Sequence, residues 1–133
     1  MSDNEQLTEE QAQAWVREQY QVATKYLANK GLVTDSVMVE DSRYIAPLLS
    51  VWKLKLLDNS WHWVICGDLP TDHVSIEAAN SAKEVLKHFS LKWQLQAENI
   101  LKHQPSEEQA QYANILVGRA ESLYKLSEDE KLW

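Results

Sequence analysis

Apolar residues recur along this chain with two distinct periods. In the first third they stand at Ala12, Trp15, Val16, Tyr20, Val22, Ala23, Tyr26 and Leu27, an arc of roughly 160° that suits a core-facing helix. Thr8-Glu9-Glu10-Gln11 ahead of it is a capping-box pattern. Lys30-Gly31 ends it, with a cation in the last turn and a glycine at the C′ position. A second helical pattern runs from about Ile76 to His103, its main stripe made by Ala82, Val85, Leu86, Phe89, Trp93, Ala97 and Ile100. Leu91 and Leu95 lie almost opposite that stripe, beside Glu84, His88 and Glu98, and two leucines one turn apart on a polar face call for a cover. Pro105 interrupts the pattern, and Ser106-Glu107-Glu108-Gln109 is a second capping box. The helix it opens, about 107 to 126, carries Ala110, Tyr112, Ala113, Ile115, Leu116, Val117, Ala120, Leu123, Tyr124 and Leu126 over more than half its circumference, which predicts a sandwiched helix. Ser127 to Glu130 then offers one more turn carrying Leu132 and Trp133.

Between the first two helices the period falls to two. Val51 to Leu57 and Trp61 to Cys66 flank Asp58-Asn59-Ser60 and read as a β-hairpin. With an even loop, Leu56 lies opposite Trp63 and Leu54 opposite Ile65. Trp52, Leu54, Leu56, Trp61, Trp63 and Ile65 then share one face, and Lys53, Lys55, His62, Val64 and Cys66 the other. An odd loop mixes lysines with tryptophans, and a one-residue slip exchanges every side chain between faces, so the even loop is expected. A lone hairpin is marginal in water, so this one is expected to lie with its tryptophan face on the helices. Upstream, Val37 to Glu40 is a candidate short strand, and Pro47 disfavours helix at Ala46 and a central ladder position at 47. Downstream, Leu69-Pro70-Thr71-Asp72 suits a type I turn, with Thr71, Asp72 or Ser75 capping the next helix.

These elements define an α+β fold: an N-terminal helix, an antiparallel β-hairpin with a possible third short strand, then two long helices packed on the Trp-rich hairpin face. Its 133 residues fit one domain, residues 1–133, with a mobile arm over 1–7 and a loose tail over 127–133. The helix starts TEEQAQ (8–13) and SEEQAQ (106–111) match, but the identity ends there and shared capping chemistry accounts for it.

The charge balance is acidic, 20 Asp and Glu against 13 Lys and Arg for a net charge of −7. That disfavours nucleic acid and anionic membranes as partners, since both reward basic surfaces. No apolar run approaches the ~20 residues of a membrane span, and the opening MSDNEQLTEE has neither the basic nor the apolar region of a secretory signal. A cytoplasmic location is the expectation. The single cysteine, Cys66, has no internal partner for a disulfide.

Candidate chemistry concentrates between Val51 and Val74. Cys66 and His62 invite a nucleophile–base or metal reading, but four residues apart on one strand they stand about 13 Å apart. In the even register Cys66 faces Lys53, whose ammonium would lower the thiol pKa. Asp68, Asp72 and His73 fall in the strand-to-helix turn, where two carboxylates and an imidazole suit a divalent cation or acid–base work. The ordinary structural alternative is that Asp72 caps the helix, Asp68 stabilises the turn and His73 is solvated. His88 and His103 are about 22 Å apart along one helix. No HExxH, P-loop, GxGxxG, GxSxG or CxxC pattern occurs, and three glycines leave little material for a phosphate cradle. No metal or cofactor is expected. Trp61 and Trp63, with Leu91 and Leu95, are the candidate binding residues.

WHWVICGDLPTDHVS (61–75), followed by AKEVLKHFSLKWQLQAE (82–98), resembles a family of small bacterial proteins of unknown function. The shared pattern is W-x-W-V-x-x-G-D-L-P-T-D with H-F-x-x-K-W downstream, and the resemblance covers Val37 to Ile100. It implies a soluble bacterial α+β protein and supplies no catalytic residues. Two functions remain open. The favoured one is a non-enzymatic interaction or regulatory module that binds a protein partner or itself through Leu91 and Leu95. The alternative is a small metal-dependent or acid–base enzyme using the Gly67–Val74 turn.

Overall fold

The computed structural model describes residues 7–133; of the expected arm, only Leu7 lies among them. The chain divides into two compact units at Glu77/Ala78. The first holds α1 (Glu9–Ala28) and five strands: β1 (Thr34–Val37), β2 (Arg43–Ile45), β3 (Leu49–Leu56), β4 (Trp61–Gly67) and β5 (Leu69–Ser75). The second holds α2 (Ala82–Lys102) and α3 (Glu107–Ser127). Short 3₁₀ turns lie at Val39–Asp41, Ile76–Ala78 and Glu130–Leu132. The fold is α+β, as the two periods in the sequence imply.

Helix α1 begins and ends where its signals stand. Thr8 accepts from the N–H of Gln11 and the Gln11 side chain accepts from the N–H of Thr8, closing the capping box. At the other end Leu32 N–H returns to Leu27 O and Gly31 N–H to Ala28 O, with Gly31 at φ +81°. This is the bond pair of a Schellman motif, which needs the left-handed residue that glycine supplies.

All strand pairings are antiparallel, in the order β1-β3-β4-β5, and β2 also pairs with β3. β1 takes the Leu54–Leu56 end of β3 and β2 the Leu49–Val51 end. The Ala46-Pro47-Leu48 corner joins β2 to β3, with Ile45 opposite Leu49, so Pro47 occupies no ladder position.

The hairpin register differs from the expected one. Lys53 lies opposite Trp63 and Lys55 opposite Trp61, which makes the loop odd. Leu57-Asp58-Asn59 forms the reversal, with Leu56 N–H bonded to Ser60 O and Asn59 at φ +71°. Three-residue hairpin loops place a left-handed residue at their end, and asparagine tolerates that conformation. Asp58 adds bonds from the backbone N–H and hydroxyl of Ser60, which hold its carboxyl below the usual carboxylate range.

The hairpin has no wet face. Both faces of β3 and β4 are buried: Trp52, Leu54, Leu56, Val64 and Cys66 on one, Val51, Trp63 and Ile65 on the other. With no polar face to protect, hydrophobic patterning does not select the register, and the turn chemistry does. The first of these faces packs against Ala23 and Leu27 of α1, with Val16, Tyr20, Tyr26, Val37 and Tyr44 at its margin. The tryptophans therefore do not share one face, and Cys66 and His62 point toward α1 rather than outward.

A second correction concerns Gly67 to Ser81. Leu69–Ser75 is a strand paired with β4, not a turn leading into a helix, and α2 starts at Ala82 with the Ser81 hydroxyl accepting from Glu84 N–H. The reversal is confined to Gly67-Asp68-Leu69. Gly67 sits at φ +140°, and a Cβ there would stand 2.6 Å from Leu48 O, while Asp68 N–H bonds to that same carbonyl. Pro70 is tolerated because, among the described residues, β5 pairs only with β4 and needs no second ladder.

In the second unit α2 and α3 form a helical hairpin. Ser90 donates to Ala120 O, Lys87 pairs with Glu128, and Ser106 and Gln109 close the second capping box. α3 buries only Ala113, Leu116, Ala120, Leu123 and Ser127, while Tyr112, Ile115 and Tyr124 are exposed. The expected sandwiched helix is therefore a single-sided one. The last turn forms as expected, with Asp129 accepting from Lys131 N–H and the Trp133 indole donating to Leu126 O.

Candidate functional site

Strand alternation separates the residues that the sequence places together. His73 lies opposite Val64 and Asp72 opposite Ile65, so the two side chains leave β5 on opposite faces. Asp72 accepts the backbone N–H of His73 at 2.8 Å, and Asp68 is exposed at the tip of the reversal. His73 turns instead to α1, where its Nδ1 lies 3.1 Å from the Tyr26 hydroxyl. Its ring meets Tyr26 edge-on at 5.4 Å and lies 5.9 Å from that of His62, whose Nδ1 is buried without a hydrogen-bond partner among the described residues. Among the described residues, no three His, Cys, Asp or Glu side chains come together as a metal site.

Cys66 is wholly buried, opposite Ser50. The Ser50 hydroxyl donates to Cys66 O and lies 3.3 Å from Cys66 Sγ, which in turn reaches Gln19 O at 3.5 Å. Burial pushes the thiol pKa up, against the smaller opposing pull of hydrogen bonds from Ser50 and Trp52. Lys53, expected to activate it, is on the other face. Such a thiol stays protonated and is a poor nucleophile.

Lys53 has a different role. Its ammonium pairs with Asp41 at 2.8 Å and lies over the rings of Trp61 and Trp63 at 5.6 and 5.7 Å. Trp63 is fully buried and Trp61 half-buried, so these two predicted binding residues sit with a cation of their own sheet. Leu91 and Leu95 are 60% and 57% exposed, as their position on α2 implies.

The sequence did not single out a groove in the first unit, about 480 Å³ in volume, between α1 and the β1–β2 side of the sheet. Trp52 is its floor, with its indole N–H held by the Ser50 hydroxyl at 2.9 Å. Tyr20 meets that ring edge-on at 5.2 Å and Tyr44 leans on it at 4.7 Å. Val16 and Val37 complete the apolar wall, and Arg17 and Gln21 stand exposed on α1 at the rim. Burial raises the Tyr44 hydroxyl pKa, while a hydrogen bond with Ser42 acts in the opposite sense, so the phenol stays neutral. The signal was present in the register alone: with the odd loop, Trp52 moves away from Trp61 and Trp63 and joins Tyr44 and α1.

A family model described as "Domain of unknown function (DUF4826)" matches residues 9–133, and the chain belongs to that family. Neither a curated protein nor a solved structure matches the chain. No helix of the described residues is long and apolar enough to cross a membrane.

Proposed function

We propose that this chain is a non-enzymatic interaction module of the bacterial cytoplasm that associates with a second copy of itself through the outer face of α2. The observation that carries the reading is the order of residues on that face. Glu84, His88, Leu91, Leu95, Glu98 and Lys102 are spaced alternately by four and three residues, the spacing of a coiled-coil seam. Read backwards, the series is complementary to itself. Two such helices laid antiparallel about a two-fold axis at the level of residue 93 bring Leu91 against Leu95, His88 against Glu98 and Glu84 against Lys102. Isologous contacts need this self-complementarity. Both leucines are more than half exposed, and the seam from Glu84 to Lys102 is about 27 Å long. One helix face lies at the low end of stable interface sizes, so the expected dimer is weak, with a dissociation constant of roughly micromolar order.

An enzyme built on Asp68, Asp72 and His73 has less support, because Asp72 and His73 diverge from their strand. Full biological activity in an Asp72→Asn/His73→Ala variant would remove that alternative. Sedimentation over a concentration series tests the seam. Leu91→Glu/Leu95→Glu should be monomeric throughout, Lys102→Glu should weaken association, and Glu84→Lys/Lys102→Glu should restore it. A parent chain that remains monomeric at the highest concentrations would refute the proposal.

A further inference from the structure

From the groove between α1 and the sheet we infer a ligand site for an aromatic molecule carrying one carboxylate. The volume of about 480 Å³ falls within the range of small-molecule pockets, roughly 300–1,000 Å³. Its inner surface is aromatic, with the Tyr20 and Tyr44 rings inclined at 61° and 42° to that of Trp52. Tyr20 and Tyr44 each already contact Trp52, so the aromatic wall exists before a ligand arrives and little ordering entropy remains to be lost. Trp52 is pinned at its polar edge by Ser50, which leaves only its apolar ring for the groove.

The charge is equally specific. In a chain of net charge −7, Arg17 is the one ionised side chain that the described residues place on the groove wall, and no carboxylate among them joins it there. Its guanidinium can grip a carboxylate through two parallel N–H bonds. Gln21 follows one helical turn later on the same rim, adding a neutral amide. An apolar ring on the tyrosine–tryptophan floor with its carboxylate at the α1 rim satisfies both surfaces. A cation would meet the arginine, and an aliphatic chain would lose the ring contacts.

Calorimetric titration of the full chain with 2-naphthoate and with 2-naphthamide, equal in shape and different in charge, tests the site. The carboxylate is expected to bind about fivefold tighter than the amide, the size of an exposed charge-assisted contact. Arg17→Gln, at an exposed position, should abolish that difference, and Val16→Trp, which fills the groove, should abolish binding of both. Equal affinities in the parent chain would overturn the carboxylate assignment while leaving an aromatic site. Binding of neither probe, or binding unaffected by Val16→Trp, would overturn the site itself.

Discussion

The indole N–H of Trp52 donates to the hydroxyl of Ser50 at 2.9 Å, two residues back on the same face of β3. Ser50 is itself wholly buried, and it passes the chain on to the backbone carbonyl of Cys66. One small side chain thus satisfies the polar edge of the largest ring under α1. Ser50→Ala leaves the indole N–H buried without its acceptor. The expected loss is about 1–3 kcal/mol in urea denaturation, with a changed Trp52 indole resonance in the folded state.

Two glycines should respond to alanine with opposite signs. At Gly67 the backbone is left-handed and the new Cβ meets Leu48 O at 2.6 Å and Leu49 Cα at 2.7 Å, both main-chain atoms that cannot swing away. Gly67→Ala should cost about 1–3 kcal/mol. Gly118 lies in α3 with nothing within 4 Å of its ideal Cβ. Gly118→Ala should stabilise by about 0.5–1 kcal/mol through helix propensity. Paired thermal melts read both, and equal effects would contradict the reversal at Gly67.

Alkali should destabilise the first unit through Cys66. Burial raises its folded-state pKa, so the folded chain keeps a proton that the unfolded chain gives up first. The contribution is whole below the unfolded thiol pKa, about 8.5, and is lost as pH rises through the folded value. Tyr44, raised in the same way, extends the loss at higher pH. Stability measured by urea denaturation should therefore fall above a pH of about 8.5, and Cys66→Ala should flatten the first part of that fall. An unchanged slope in the variant would place the loss elsewhere.

Lys53 tests how a lysine lives on a buried face. Its side chain is 22% exposed, paired with Asp41 and over two indoles. Lys53→Met keeps the stem packed and removes the charge, and the expected change is within about 1 kcal/mol of zero. Lys53→Glu sets a carboxylate beside Asp41 and against the negative faces of both rings, and should cost about 3 kcal/mol or more. Circular-dichroism melts of the two variants separate packing from charge.

The exposed leucine pair of α2 and the groove differ in how visible they are in the sequence. Leu91 and Leu95 were legible from the sequence, because a 3.6-residue period carries its own geometry and any leucine off the stripe stands out. The groove was not, because its members come from α1, β1, β2 and β3, and the short strands β1 and β2 carry too few residues to show a period.

By itself the sequence determined the three helices and most of their ends. Thr8 with Gln11, Ser106 with Gln109, and Gly31 act within a few residues of themselves, so no distant contact is needed to read them. It also determined that Val51 to Cys66 is a hairpin. Burial of both its faces, together with its turn, decided which way that hairpin faces. Once both sides of β3 and β4 are buried, alternation no longer distinguishes inside from outside, and three residues of turn set the register. That single step carried Trp52 to α1, buried Cys66 opposite Ser50 and left Trp61 and Trp63 with Lys53. The same limit hid β5. Leu69 to Ser75 holds two aspartates, a histidine and a proline, a composition that reads as a turn. It is a strand because Gly67 lets the chain double back on β4, whose open edge supplies the hydrogen bonds.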